Sequence, residues 1–198
     1  MNRIFGQENS VARFSVLVLM VVIAGIYRLL PHPWNLAPFG AMALFGGAYF
    51  GSIIAAIFVP LVSLWISDLV LNNVIFSQYF PEFTLFYNGF GWQYGSFVAI
   101  SCIGLLIKNN VKPVNVLFAS VGGSFLFFFV SNFGVWATGN MYPPSSAGLM
   151  ACYTAGLPFL QNTLVGDLVF NIALFGVFEF LQTRYSGLKL VKSIAAEG

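Results

Sequence analysis

Apolar residues gather in six stretches along the chain, separated by short polar or proline-rich breaks. A helix needs about 20 apolar residues to cross the hydrocarbon core of a bilayer, which is about 30 Å thick. The pattern therefore predicts an all-α integral membrane protein, a single membrane domain over residues 1–198 with six transmembrane helices. We place the spans at residues 14–30, 38–50, 52–72, 91–107, 114–137 and 159–182.

Two connections are too long to be simple turns. Residues 73–90 hold seven aromatic residues, and residues 138–157 begin with glycine and proline turn signals. The second connection ends in an apolar stretch of eleven residues, 147–157, which reaches only about 16 Å as a helix. We expect this stretch to lie at the membrane interface or to re-enter beside the bundle, and the sixth helix to start at Pro158.

The basic residues predict the orientation of the bundle, because lysine and arginine accumulate on the cytoplasmic side. With a cytoplasmic N-terminus, Arg28 alone lies outside, and seven of the eight basic residues lie inside. Both termini are then cytoplasmic, in a bacterial inner membrane, and loops 73–90 and 138–157 face outward. The first 30 residues also fit a cleavable signal peptide, which would leave the remaining topology unchanged. The inside residues are Arg3, Arg13, Lys108, Lys112, Arg184, Lys189 and Lys192.

Composition supports the membrane assignment. The chain is 59% hydrophobic and 7% charged, whereas a soluble domain carries about 25% charged residues. A soluble enzyme, a disordered protein and a nucleic-acid binder are therefore excluded. Two cysteines provide no disulfide framework, and a single histidine provides no histidine-rich metal cluster. We expect neither a metal nor a cofactor.

Polar residues concentrate in the outer half of the predicted spans, where a buried charge normally faces a cavity or the bundle interior. The predicted ligand-binding residues at this level are Arg28, Asn35, Asp68, Asn132, Trp136, Asn162 and Asp167. Structural roles remain open for each of them. The sole role of Asp68 could be to pair with Arg28, and Asp167 could be a protonated core acid. The asparagines could hold helices together, and the tryptophans could belong to an interfacial belt.

A short internal match links the third and sixth spans. Asp68-Leu-Val-Leu-Asn72 resembles Asp167-Leu-Val-Phe-Asn171, and in each the acid and the amide share one helix face. An inverted repeat would mirror the two acids across the membrane midplane, but both lie in the outer half. We favour two polar faces that converge on one outward cavity, with coincidence as the alternative.

Other motifs are few. The glycine-rich stretch 40–51 lacks the lysine of a phosphate loop, and its small residues could serve packing between spans or docking of another membrane protein. The chain has no His-Glu-x-x-His, Cys-x-x-Cys or Gly-x-Ser-x-Gly motif. We therefore expect no enzyme, although Asp68 and Asp167 could act as an acid and a base.

Several stretches resemble a known family. They are Asn35-Leu-Ala-Pro38, Ala43-Leu-Phe-Gly-Gly-Ala-Tyr-Phe50, Ser67-Asp68-Leu69, Ser131-Asn132-Phe-Gly-Val-Trp136, and Ala151-Cys-Tyr-Thr-Ala-Gly-Leu-Pro158 leading into Asn162 and Gly166-Asp167. With six spans and an outward site, the chain is similar to the S components of energy-coupling factor (ECF) transporters. It most resembles the solitary vitamin B12 S component of Gram-negative bacteria and an uncharacterised membrane family similar to that one.

The resemblance implies a protein that captures a small, vitamin-like molecule from the outer side and delivers it inward. It further implies a lid formed by loop 73–90, and either an ECF coupling subunit with ATPases as partner or solitary action. The B12 relative brings a cysteine of its third outer loop to cobalt, whereas loop 73–90 has no cysteine and the outer cysteine here is Cys152. A corrinoid ligand is thus one option among vitamin-like molecules. The alternative function is a structural or assembly subunit without a ligand.

Overall fold

The computed structural model describes residues 2–189, with side chains from Val11 onward, and this part of the chain is helical without strands. The predictions of an all-α fold and of six helices are confirmed for the described residues. Lys192 lies outside the described residues, as does the side chain of Arg3. The helices are α1 (Asn2–Tyr27), α2 (Phe39–Tyr49), α3 (Ile53–Val70), α4 (Phe90–Ile107), α5 (Pro113–Thr138) and α6 (Ser146–Arg184).

Four helices are long and apolar enough to cross a membrane: α3 with the π-helical turn that extends it to Ile75, α4, α5 and α6. The surface of the bundle is apolar, because large side chains such as Leu106 and Ile172 are 84% and 74% exposed. Several polar side chains are buried instead. This distribution is the reverse of the one in a soluble protein, and it suits a bundle surrounded by lipid.

The sixth helix begins twelve residues before Pro158, so the predicted separate segment 147–157 is wrong. The Ser145 hydroxyl accepts a hydrogen bond from the Gly148 N–H, at 3.2 Å, and this N-cap starts the helix. Pro158 lies within α6 rather than at its start, since neighbouring helices compensate for the loss of one hydrogen bond in an apolar bundle. The α5–α6 connection shrinks to Gly139–Ser145.

Helix α2 is short and lies inside the bundle. All eleven of its residues are buried, and it packs against α3, α4, α5 and α6. Its length of about 16 Å is half of a hydrocarbon core, so the predicted second span does not cross a bilayer by itself. The chain turns at Phe50–Ser52 and continues directly into α3.

The C-terminal end of α2 is held by two cations. The Arg13 guanidinium donates to the carbonyl of Tyr49 at 3.1 Å, and the Lys108 ammonium donates to the carbonyl of Phe50 at 2.8 Å. Both cations thus face the negative pole of the helix dipole. The Tyr49 hydroxyl donates to Glu179 of α6, which closes this end of the bundle.

Glycines allow α2 to approach its neighbours at backbone distance. A Cβ at Gly47 would overlap the Ser101 carbonyl of α4, and one at Gly104 would overlap the Leu44 carbonyl of α2. A Cβ at Gly46 would lie 2.8 Å from Pro60 of α3. The glycine-rich stretch 40–51 therefore serves packing within the chain.

We expect Gly47→Ala to lower the free energy of unfolding by about 1–3 kcal/mol, the usual cost of overpacking, because the obstructing atoms are backbone. Gly122→Ala is the matched control. A Cβ at Gly122, within α5, meets no atom within 4 Å, so this change should be neutral or stabilising. Thermal unfolding of the purified protein in detergent measures both. Equal effects of the two substitutions would contradict the packing described here.

Candidate functional site

Two adjoining cavities lie at one end of the bundle, hereafter the cavity end, where the loops 28–38, 76–89 and 139–145 meet. The first cavity has a volume of about 470 Å³, and the second has a volume of about 560 Å³. Both lie within the range of about 300–1,000 Å³ that is typical of ligand pockets. Asn35, Gln93 and Phe127 line both cavities and so form the boundary between them.

The first cavity lies beyond the N-terminus of α2, in the space that a full-length helix would have filled. Phe39 and Gly40, from the first turn of α2, line it together with Asp167 of α6. Phe97 of α4 and Phe127 of α5 stack on each other, with ring centroids 5.2 Å apart, and line it as well. The cavity is thus mostly apolar and includes several aromatic rings, with one carboxylate beside α2.

Asp167 lies between α5 and the first turn of α2. Its Oδ2 accepts a hydrogen bond from the Ser124 hydroxyl of α5 at 2.6 Å, and the backbone N–H of Ala41 lies near the carboxylate. A Cβ at Gly40 would overlap the carboxylate, so glycine is required for this approach. Asp167 is 3% exposed and faces the positive N-terminal pole of α2.

Arg28 and Asp68 form an ion pair beside the first cavity. The second carboxylate oxygen of Asp68 accepts from the Tyr94 hydroxyl at 2.8 Å, and the Arg28 guanidinium lies 4.7 Å from the ring centroid of Phe39. Arg28 lines the cavity, whereas Asp68 lies behind it. The expected pairing of Asp68 with Arg28 is therefore confirmed, and each carboxylate oxygen of Asp68 already has a partner within the protein.

The second cavity lies between α4, α5 and α6 and contains Asn132 and Cys152. The Asn132 amide donates to the Phe128 carbonyl at 2.8 Å, and the Cys152 thiol donates to the Asn132 carbonyl at 3.3 Å. Gly156 leaves room for the Asn132 side chain, since a Cβ there would lie 2.5 Å from its amide oxygen. Asn132 thus lies at the wall, with one amide N–H already bonded to the backbone of α5.

Besides Asp68, two predicted binding residues do not line these cavities. The Trp136 indole N–H donates to the Pro143 carbonyl at 3.0 Å, which fixes the α5–α6 loop. The Asn162 amide donates to the Trp34 carbonyl at 2.8 Å, which ties the loop 28–38 to α6. Both residues therefore position the loops around the site and do not face its interior.

Asn35 has the only positive φ, 62°, among the described non-glycine residues. Asparagine tolerates this left-handed conformation better than most residues do. The conformation directs the chain into α2 and places the Asn35 side chain at the boundary of both cavities.

The sequence did not indicate Gln93, which lines both cavities. The Tyr87 hydroxyl donates to its amide oxygen. Burial, followed by the nearby Asp68 charge, raises the pKa of Tyr87, so that this hydroxyl stays a donor. The sequence feature that could have indicated Gln93 is a lone amide in the first turn of an apolar helix.

Asn73 was also not predicted, and it fixes loop 73–90. Its amide nitrogen donates to the Thr84 carbonyl at 3.0 Å, and its amide oxygen accepts from the Thr84 N–H at 2.7 Å. Ile75 and Phe76 of this loop line the first cavity. The loop therefore forms one side of the first cavity.

The two Asp-Asn pairs have different environments. All four side chains are buried, and only Asp167 lines a cavity. The Asn171 amide donates to Ser120 at 2.9 Å, whereas the Asn72 amide nitrogen has no partner among the described residues. The convergence of both polar faces on one cavity is therefore wrong, because Asp68 is occupied by Arg28 and Tyr94.

The ion pair leads to a stability prediction. Arg28→Gln should lower the free energy of unfolding by about 3 kcal/mol, because it leaves the buried Asp68 carboxylate without its cation. The double substitution Arg28→Gln with Asp68→Asn should recover part of this loss. Thermal or denaturant unfolding of the single and double variants measures the coupling. If the loss of stability in the double variant equals the sum of the losses in the two single variants, the ion pair is contradicted.

Comparisons with known proteins give one finding. The sequence profile of a family of unknown function, DUF6580, matches residues 8–190. No curated protein and no solved structure matches the chain.

Proposed function

The chain belongs to the family of unknown function DUF6580, and from its site we propose that it is a membrane-embedded substrate-binding and uptake protein. It would capture a small, vitamin-like molecule from the outer side of the bacterial inner membrane and deliver it inward. The observation that carries this proposal is the first cavity, which is mostly apolar, includes several aromatic rings, and is enclosed by the first turn of α2, Asp167 and Arg28. Mostly apolar cavities with a few convergent polar groups are typical of small-molecule sites.

The distribution of charge supports the orientation. Arg13, Lys108, Lys112, Arg184 and Lys189 belong to the end opposite the cavities, and Arg28 is the one Lys or Arg at the cavity end among the described side chains. In a membrane with its positive side inward, the cavities open outward, and both termini are cytoplasmic. In this proposal α1 spans the bilayer with the four long helices, and α2 remains inside the bundle.

The proposal keeps the resemblance to ECF S components, which rests on the motifs around Asn35, Asp68, Asn132 and Asp167. Two of these residues, Asn35 and Asp167, line the first cavity. The partner would be a coupling subunit with ATPases, or the protein would act alone. A vitamin-like ligand of moderate size fits the first cavity, and a larger one, such as a corrinoid, would have to occupy both cavities.

Mass spectrometry of small molecules that co-purify with the overexpressed protein tests the proposal. We expect one compound in near-stoichiometric amount, and we expect Asn35→Gly to reduce its retention at least about tenfold, equivalent to about 1.4 kcal/mol. Glycine adopts the positive φ of Asn35 without strain, so this change removes only the amide. The thermal stability of the ligand-free protein should therefore stay within about 0.5 kcal/mol.

Gln161→Ala is the matched control, because Gln161 is an exposed amide of α6 and should not affect retention. The competing function, a structural or assembly subunit, has support in the fully paired Asp68 carboxylate. That function predicts no co-purifying compound and no ligand-dependent difference between the variants. Absence of any retained compound from the wild type would overturn the proposed function.

A further inference from the structure

The cavity end of the bundle has an excess of negative charge. Its described residues include three carboxylates, Asp68, Glu82 and Asp167, and one guanidinium, Arg28, which leaves a net charge of −2 with His32 counted as neutral. Asp68 and Arg28 neutralise each other in their ion pair. The carboxyl group that remains inside the site is therefore that of Asp167.

Asp167 has no cationic partner among the described side chains, although it is 3% exposed. Its neighbours are the Ser124 hydroxyl and the first turn of α2. A helix N-terminus supplies only about half of an elementary positive charge. An ionised Asp167 therefore lacks a full positive partner in buried surroundings, where an unpaired charge is costly, and a cation beside it would favour the ionised form.

The carboxylate lines the first cavity, so a ligand can supply the missing charge. The other walls favour the same kind of group. Phe39, Phe97 and Phe127 line this space, and an aromatic ring attracts a cation over its face at distances up to about 6 Å. Arg28 already uses the ring of Phe39 in this way, at 4.7 Å. Carboxylate and rings together form a site for a cationic nitrogen attached to a flat, apolar body.

We propose that the ligand of the first cavity is an organic cation, an aromatic or heterocyclic molecule whose positively charged nitrogen pairs with Asp167 while its ring packs against Phe97 and Phe127. This inference rests on the proposed function and names its substrate class. Arg28 does not repel such a ligand, because Asp68 neutralises it.

Three molecules with the same indole body test the charge preference: tryptamine is a cation, tryptophol is neutral, and indole-3-acetate is an anion. Their affinities for the purified full-length protein are measured by calorimetry, after any co-purified compound has been removed by dialysis. We expect tryptamine to bind at least about tenfold tighter than tryptophol, and we expect no binding of indole-3-acetate. The smaller series of benzylamine, benzyl alcohol and benzoate should show the same order.

Asp167→Asn should reduce the ratio of tryptamine to tryptophol affinity to about one, since the amide keeps the shape of the side chain and removes its charge. Glu82→Gln is the matched control, because Glu82 is an exposed carboxylate of the loop 76–89, and it should leave the ratio unchanged. If Asp167→Asn does not fold, the order of affinities in the wild type remains a complete test.

Equal affinity for the three indoles, preference for the anion, or no binding of either amine would overturn the proposal. An unchanged ratio in Asp167→Asn would also overturn it. Recovery of a neutral or anionic compound by mass spectrometry would contradict the charge preference and support the proposed function. The two proposals therefore fail on different results.

Discussion

The fold depends on one constraint, the burial of both ends of a short helix. All eleven residues of α2 are buried, and the free N–H and C=O groups at helix ends must find partners within the protein when water is absent. Asp167 faces the N-terminal turn of α2, and Arg13 and Lys108 donate to carbonyls at its C-terminal end. Each of these groups faces the pole of the helix dipole whose charge is opposite in sign to its own.

The position of the cavity follows from this arrangement. Because α2 covers only about half the thickness of a bilayer, it leaves a volume beyond its first turn that the other helices enclose. The loop 28–38 covers this volume, and the positive φ of Asn35 leads the chain from it into α2. Asp167 consequently belongs both to the support of α2 and to the wall of the cavity, and in the proposed function the same carboxylate would also bind the ligand.

The sequence predicted the fold better than the site. Span lengths are set by lipid thickness, and predicted spans 91–107 and 114–137 lie within one residue of α4 and α5. The predicted start of α6 was wrong because Pro158 was interpreted as the first residue of the helix, whereas Ser145 is its N-cap. The depth of a residue in the membrane could be estimated from its position relative to the predicted spans. Four residues selected in this way line the cavities: Arg28, Asn35, Asn132 and Asp167.

The direction in which each side chain points was not predictable. Lipid and protein interior are both apolar, so a helix such as α5 or α6 shows little contrast between its faces. Trp136 and Asn162 lie at the expected level but bond to loop carbonyls. Phe97 and Phe127 line the first cavity, yet they look like any other phenylalanine in a chain that has 23 of them.

The most direct test of this account is an experimental structure of the full-length protein in lipid nanodiscs, determined with the compound that co-purifies with it. The account predicts density for one small molecule beyond the first turn of α2, between the Asp167 carboxylate and the rings of Phe97 and Phe127. A helix α2 that continues through this volume, or a cavity filled only by lipid acyl chains, would contradict it.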